Sequence, residues 1–426
     1  CSVELTLIDN QGGCGGSRMM VAGDIKTEKG LGVKNADVIL RSNQAGMEKQ
    51  RLTDISGDYV FGDLPVMVDY HITGKKRDDW MNGVSTLDLV MMQRHILGVA
   101  PFHNAYKMVA ADVNNDSKVS ASDMVVLRKL ILGLITELPD NDSWRFLDAQ
   151  TPIANPDNPW PLDEEIVINA VDHDMMGQHL MGVKVGDVTQ DASASGIIAE
   201  SRSNETLKLI LENQFINKDE IVRIDIKSSD FIDVSGMQFT LNTGDLNVLA
   251  IEGGKLNIDV NNYGIPSDNV ITFSWSSDKA VSTTDDEVLF TISVKAQKSG
   301  WLMDQLVLGS SITTSEAYMG ETNQLVKPIL RATNSTTVND LFAVQQNEPN
   351  PFKQSTSIGY YLPEKGEVKL AITSVDGKVI LTRQWRAPQG NNIVELNSGD
   401  ILVPGIYYYS IGFMGETITK ALVKVE

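Results

Sequence analysis

The sequence predicts a mainly β protein, made of several β-sandwich domains with one small all-α module. Apolar and polar residues alternate with a period of two across 19–74, 205–330 and 341–426, which is typical of strands that bury one face. Between residues 75 and 138 the apolar period becomes helical. A length of 426 residues also indicates several domains rather than one.

The composition excludes two classes of partner. The net charge is −20 and the isoelectric point is about 4.7, so the chain lacks the basic surface that nucleic acid or an anionic membrane requires. Hydrophobic residues make up 42% of the chain, enough to build cores. The longest apolar run, Met124–Ile135, contains Arg128 and Lys129 and is far shorter than the roughly 20 residues of a transmembrane helix.

Residues 1–18 read as a single strand, Val3–Ile8, followed by a glycine-rich turn at Gly12–Gly16. Because one strand cannot fold alone, we expect this segment to be the end of an upstream domain. Cys1 and Cys14 are the two cysteines of the chain. They could close a local disulfide in an oxidising compartment, or Cys1 could carry a lipid.

Residues 19–74 predict the first sandwich. Short alternating segments are separated by turn signals, and Tyr59 and Phe61 alternate after the turn at Ser56-Gly57. This pattern resembles carboxypeptidase-regulatory-like and Cna-B-like domains. The resemblance implies a stalk module.

Two helices are predicted next, over Thr86–Leu97 and Ser122–Leu134. They belong to an internal repeat, since Gly83-Val-Ser-Thr-Leu-Asp-Leu-Val aligns with Lys118-Val-Ser-Ala-Ser-Asp-Met-Val and both helices end in Ile-Leu-Gly. We place this helical module at residues 75–138.

A twelve-residue loop before the second helix has the spacing of a calcium site. Positions 1, 3, 5, 7, 9 and 12 of such a loop fall on Asp112, Asn114, Asp116, the carbonyl of Lys118, Ser120 and Asp123. Carboxylate, amide and carbonyl oxygens at this spacing suit a hard cation. The alternative is a metal-free turn that caps the helix through Ser120 or Ser122.

A duplicated calcium loop that ends in Asp and is followed by one helix resembles the type I dockerin. The resemblance implies two calcium ions and binding to a cohesin. In the first copy the matching ligands are Asp79, Gly83, Ser85 and Asp88, but Arg77 and Met81 occupy ligand positions. Asp78 could take the place of Arg77 by a slip of one residue. The first loop therefore either binds a second calcium ion or forms a metal-free turn packed by Trp80. The family's recognition positions map onto Thr86, Leu87, Ala121 and Ser122.

Residues 139–200 are rich in Pro, Asn and Asp and are interpreted as an extension with short strands at Trp144–Leu147, Ile166–Ile168 and Met181–Val185. Residues 201–333 form a larger sandwich that resembles the cohesin-like and carbohydrate-binding-module-like fold, on strands such as Val222–Ile226. Phe273 and Trp275 could be a polysaccharide platform or could pack in the core.

A Ser/Thr-rich linker at 334–340 precedes the last domain, 341–426. Four motifs follow one another along this domain: one ending in Asn350-Pro351-Phe352, then Asp376-Gly377-Lys378, then Pro404-Gly405-Ile406-Tyr407-Tyr408-Tyr409, and last Lys420-Ala421-Leu422-Val423. Together they resemble the type A sorting domain of type IX secretion in Bacteroidota. The resemblance implies export by the type IX machinery to the surface of a Gram-negative bacterium.

No nucleophile elbow, zinc-protease or P-loop motif occurs in the chain, so we expect no catalysis by these residues. The predicted function is a secreted cell-surface adhesion or scaffold protein that uses a calcium-stabilised module for protein–protein interaction. The cohesin-like partner would lie in the same or another chain. The alternative is the non-catalytic tail of a secreted polysaccharide- or protein-degrading enzyme.

Overall fold

The computed structural model describes residues 18–195, 205–333 and 342–425. The predicted strand Val3–Ile8, both cysteines and the linker 334–340 lie outside these ranges. The chain divides into two compact units, Cys1–Ala332 and Thr333–Glu426. The fold is mainly β, as the sequence predicts.

The first sandwich consists of two four-stranded sheets, in the orders β4-β1-β8-β6 and β3-β2-β5-β7. Its strands are β1 (Arg18–Lys26), β2 (Asp37–Ser42), β3 (Met47–Leu52), β4 (Asp58–Pro65), β5 (Tyr70–Lys75), β6 (Trp144–Asp148), β7 (Ile166–Ile168) and β8 (Leu180–Lys184). Alternate apolar residues of both sheets, such as Phe61, Ile72 and Trp144, form one core.

Three of these strands come from the segment that the sequence suggested was a separate extension, 139–200. That division is corrected by the pairing: β8 lies parallel to β1, β6 pairs with β8, and β7 pairs with β5. The physical reason is that the first five strands leave sheet edges and apolar faces that these short strands cover. The helical module is therefore an insertion between β5 and β6.

The inserted module contains three helices. They are α1 (Thr86–Ile96), α2 (Ala105–Ala111) and α3 (Ala121–Ile131). Ser85 and Ser120 each begin a helix with a capping box that uses Asp88 and Asp123. The helices share a core with the first sandwich, since Leu89 and Leu127 cluster with Val183 of β8.

The second sandwich follows at residues 205–333. One sheet has the order β14-β15-β12-β19-β20-β9 with β18 also paired to β12, and the other is β11-β16-β13. The bounds are β9 (Thr206–Leu211), β10 (Phe215–Ile216), β11 (Ile221–Ile226), β12 (Val234–Asn242), β13 (Leu246–Gly253), β14 (Tyr263–Ser267), β15 (Val270–Val281), β16 (Phe290–Ala296), β17 (Gly300–Trp301), α4 (Leu302–Gln305), β18 (Val307–Gly309), β19 (Glu316–Met319) and β20 (Gln324–Ala332).

Aromatic rings fill the centre of this sandwich. Phe239 and Phe273 stack with ring centroids 4.8 Å apart, and Phe273 stacks on Phe290 at 5.0 Å. Trp275 is buried in the same core. Phe273 and Trp275 therefore pack in the core, and the surface platform for polysaccharide that they could have formed is absent.

The second unit is a smaller sandwich. Its sheets have the orders β21-β22-β25 and β24-β23-β26-β27. The strands are β21 (Ala343–Val344), β22 (Ser355–Leu362), β23 (Gly366–Ser374), β24 (Val379–Ala387), β25 (Gly390–Asn397), β26 (Gly405–Phe413) and β27 (Glu416–Lys424).

Replacing Phe273 by Ala should lower the free energy of unfolding of the second sandwich by about 3–5 kcal/mol, because it removes the middle ring of the stack and leaves a cavity. Urea unfolding followed by tryptophan fluorescence measures this change. Phe215→Ala, at an exposed aromatic of the same sandwich, is the control and should shift the midpoint far less. Equal shifts would mean that the stack does not stabilise the core.

Candidate functional site: the helical module and the sheet it covers

The second loop brings three carboxylates together. Asp112, Asp116 and Asp123 each place an oxygen within 4.8 Å of the others, and they form the one such group of three found among the residues that the structure describes. Asp112 and Asp123 are buried, whereas Asp116 faces solvent. Such a cluster repels itself unless a cation lies between its members, so its chemistry fits a hard divalent cation.

The other predicted ligands of this loop lie around the trio. Asn114 accepts a hydrogen bond from the Asp116 amide on Oδ1 at 3.1 Å. The Ser120 hydroxyl lies 3.2 Å from Oδ2 of Asp123. The Lys118 ammonium lies 3.6 Å from Asp116, so this side chain turns to the carboxylate while its carbonyl remains the ligand that the spacing predicts. The atoms around the three carboxylates that could coordinate a cation are thus mostly oxygen atoms.

Two residues in and next to the first sandwich hydrogen-bond to Asp112 of the second loop. Asn141 donates from Nδ2 to the Asp112 carbonyl at 2.9 Å, and the Arg145 guanidinium donates to Asp112 Oδ2 at 3.2 Å. Burial raises the pKa of Asp112, while the positive charge of Arg145 opposes that shift. Asn141, three residues before β6, and Arg145, within β6, therefore hold position 1 of the calcium-type loop in place.

The front half of the first loop is arranged differently. Arg77 turns outward, with ion pairs to Asp142 at 3.4 Å and Glu137 at 3.7 Å, and its guanidinium lies 5.8 Å from the Trp80 ring centre. At the other end of this loop, Oδ1 of Asp88 accepts the amides of Val188 and Thr189 at 2.8 and 3.0 Å. A calcium ion held by Asp79, Gly83, Ser85 and Asp88 therefore stays a prediction.

The back half of the first loop keeps the expected form. Asp88 accepts the Ser85 amide at 2.9 Å, as Asp123 accepts that of Ser120 at 2.9 Å. Gly83 has a left-handed φ of 71°, which favours glycine. These three predicted residues therefore remain at the start of α1.

The helical module covers a sheet of the second sandwich. At the start of α1, the Thr86 amide donates to Gln238 Oε1 at 2.6 Å, and its hydroxyl lies 2.7 Å from that of Ser274. A Cβ atom added at Gly236 would lie 3.0 Å from Val90 and 3.2 Å from Thr86. Helix α1 thus approaches β12 closely, at a glycine that leaves room for it.

The carboxyl end of α3 contacts the same sheet. The Ile131 carbonyl accepts from the Thr313 hydroxyl at 2.6 Å, and the Leu132 carbonyl accepts from the Thr272 hydroxyl at 2.7 Å. Arg128 donates to the Ser276 hydroxyl at 2.7 Å. The Thr272 and Thr313 hydroxyls thus satisfy helix-terminal carbonyls that would otherwise be left without partners.

The four predicted partner-binding residues have different positions. Thr86 lies in this contact, and Leu87 beside it is half-buried. Ala121 and Ser122, at the matching positions of the second copy, are exposed. The first copy therefore supplies its helix start to the contact, and the second copy supplies its helix end.

The sequence did not indicate which residues of the sheet would meet the helices. Gln238, Thr240, Thr272 and Ser274 lie on strands whose opposite face packs in the aromatic core, yet they are buried too. Polar residues on alternate positions are usually the solvent side of a sandwich. The one signal of close packing in the sequence was the small size of these side chains, since three of the four residues are Ser or Thr.

The predicted sorting residues occupy turns and strand starts of the second unit. Phe352 is buried and pairs through its backbone with Val423, while Asn350 Oδ1 accepts the Val423 amide at 2.8 Å. Asp376, Gly377 and Lys378 form the turn between β23 and β24. Gly405 begins β26, and the hydroxyl of Tyr407 donates to the Val403 carbonyl at 2.8 Å.

Two parts of the chain match known domain families. Residues 82–137 match the dockerin type I domain, and residues 349–425 match the secretion system C-terminal sorting domain. Dockerin type I domains bind calcium in general and mediate protein–protein interaction. No curated protein matches the chain.

Several solved cohesins are similar to part of the chain. A type I cohesin of Pseudobacteroides cellulosolvens is 11% identical, with 30% of this chain and 88% of that one covered and a TM-score of 0.24. A chain of a type I cohesin–dockerin complex from Clostridium thermocellum is 13% identical (30% and 94% covered, TM-score 0.23). A non-cellulosomal cohesin from Archaeoglobus fulgidus is 15% identical (31% and 94%, TM-score 0.22).

The sorting-domain match indicates a secreted or cell-surface protein. Among the helices that the structure describes, none has the length and apolar character needed to cross a membrane.

Replacing Gly236 by Leu should separate α1 from the sheet, because the added side chain would meet Val90 and Thr86. Amide hydrogen exchange should then accelerate in α1, whose loss of cover makes local opening easier. Gly309→Leu is a control on the same sheet, since a Cβ there meets nothing within 4 Å. Unchanged exchange of α1 in the Gly236 variant would contradict the contact.

Proposed function

We propose that this chain is a secreted, non-catalytic structural protein of the cell surface, in which the dockerin-type module is bound by the cohesin-like sandwich of its own chain. The observation that carries the proposal is the contact of α1 and α3 with β12, β15 and the loop that contains Thr313. It supports a scaffold whose two modules form one rigid segment.

The chemistry of this contact favours a lasting association. The hydroxyls of Thr272 and Thr313 donate to carbonyls at the end of α3, and the side-chain amide oxygen of Gln238 accepts the Thr86 amide at the start of α1; each pair is buried. A buried donor or acceptor that loses its partner costs about 1–3 kcal/mol, so the two surfaces are stable together and costly apart. A sheet covered in this way is closed to a dockerin from another chain.

Calcium would strengthen the same arrangement. The residues that would hold the ion in the second loop are Asp112, Asn114, Asp116, Lys118 through its carbonyl, Ser120 and Asp123. This loop leads directly into α3, whose last turn contacts the sheet. Calcium there would neutralise the carboxylates and order the loop, and so stabilise the helix that reaches the second sandwich.

The two ends of the chain fit a surface role. The sorting-type unit supports export by the type IX machinery, hence a Gram-negative and, more narrowly, a Bacteroidota source. The first sandwich, of Cna-B-like type, would serve as a stalk. Adhesion or scaffolding is the role we assign to the whole.

A disulfide trap distinguishes binding within one chain from binding between chains. With Cys1 and Cys14 replaced by Ser, the pair Thr86→Cys and Ser274→Cys should oxidise within one chain, because their hydroxyls lie 2.7 Å apart. Non-reducing electrophoresis should show a monomer of increased mobility at every protein concentration.

The matched control pairs Ala121→Cys with Ser274→Cys, which uses the equivalent position of the second copy. It should stay reduced or crosslink slowly, because Ala121 is exposed. A ladder of dimers and higher species from the Thr86 pair would instead show head-to-tail association between chains, and would refute the proposal.

A further inference from the structure

The back halves of the two loops are alike, yet the second oxygen of each terminal aspartate has a different partner. Asp123 and Asp88 both accept an amide from the serine that caps their helix on Oδ2. Oδ1 of Asp123 turns to the front of its own loop, whereas Oδ1 of Asp88 turns to residues 188 and 189, about a hundred positions later in the chain.

Three backbone hydrogen bonds define the front half of the second loop. Oδ1 of Asp112 accepts the Asp116 amide at 2.9 Å, and Oδ2 accepts the Ser117 amide at 3.2 Å. The Asn114 amide donates to Oδ1 of Asp123 at 3.1 Å. These bonds arrange positions 1, 3, 5 and 12 around one point.

The same three bonds occur between the segment after β8 and the first loop. Oδ1 of Asp187 accepts the Asp191 amide at 3.2 Å, and Oδ2 accepts the Ala192 amide at 2.9 Å. The Thr189 amide donates to Oδ1 of Asp88 at 3.0 Å. Asp187, Thr189 and Asp191 are thus arranged around Asp88 in the same way as positions 1, 3 and 5 of the second loop are arranged around its position 12.

Two further features of this segment correspond to the front half of the second loop. Gln190 has a φ of 61° where its counterpart Asn115 has 58°. Ala192 corresponds to Ser117 at position 6 of the second loop, and Gly83 corresponds to Lys118 at position 7. A Cβ added at Gly83 would lie 2.7 Å from Ala192, so these two residues are in contact although they are far apart in the sequence. The match to the dockerin domain begins at residue 82, after Arg77 and Asp79.

The charges at the first site also favour a cation. Asp88 and Asp187 are buried and Asp191 is at the surface, the same order as in the second trio. Two ammonium groups lie nearby, but Lys184 donates to the carbonyls of Trp80 and Val185 at 3.0 and 3.1 Å, and Lys29 donates to the carbonyl of Gln190. The three carboxylates outnumber these two ammonium groups, and buried charge is normally paired or bound to metal.

We propose that the first calcium site of the dockerin module is discontinuous, with its front half supplied by the segment after β8. Its oxygen donors are Asp187, Thr189, Asp191, the carbonyl of Gly83, Ser85 and Asp88. Arg77 and Asp79 are not among these ligands. Binding requires these carboxylates to move closer together, since they do not all lie within 4.8 Å of one another as the Asp112 trio does.

Calcium stoichiometry tests this inference without any assay of the docking contact. After removal of metal with chelator, calorimetric titration of the whole chain should give two calcium ions. Asp187→Asn should remove one of them, as should Asp112→Asn, and the double variant should bind none. Asp79→Asn is the matched control, and it should still bind two because it changes the contiguous loop alone.

Asp191→Asn is a second variant, at an exposed position where the fold should tolerate it. It should weaken the same ion as Asp187→Asn and lose part of the rise in melting temperature on adding calcium. One ion in the wild type, absent in Asp112→Asn, would overturn the discontinuous site. So would loss of an ion in Asp79→Asn with two retained in Asp187→Asn.

Discussion

The structure of the first unit depends on where the helical module leaves and re-enters the first sandwich. The chain leaves after β5 and returns at β6, and the two points are joined by a hydrogen bond from the Trp144 amide to the Lys76 carbonyl at 3.3 Å. Both ends of the module are thus fixed to one sandwich. A module held at both ends loses little further entropy when it packs on a neighbouring surface.

This constraint explains why the same short segments serve several purposes. Strand β6 completes a sheet, and its Arg145 braces Asp112 in the second loop. Strand β8 pairs with β1, and the residues after it close the first loop. A change in either strand should therefore affect both the sandwich core and the loop that contacts that strand.

The sequence predicted the mainly β class, the helical repeat, the second loop and the C-terminal motifs, because each depends on local spacing. Ser120 and Asp123, for example, identify a helix start by themselves. The three short strands within 139–200 were predicted too, but not that they complete the first sandwich, because local spacing does not indicate which distant strand a short strand will pair with. Nor did the sequence predict the partner of Asp88, since residues a hundred positions apart become neighbours only through the insertion.

The inserted position of the helical module affects how the chain would bear mechanical load. If the two ends of the chain are pulled apart, tension passes through β1 and β8, which lie parallel and would be loaded in shear. The helices branch off between β5 and β6, so they are not in series with that path. Their contact with the second sandwich is instead a non-covalent connection that acts beside the covalent link from β8 to β9, and the two would share the force.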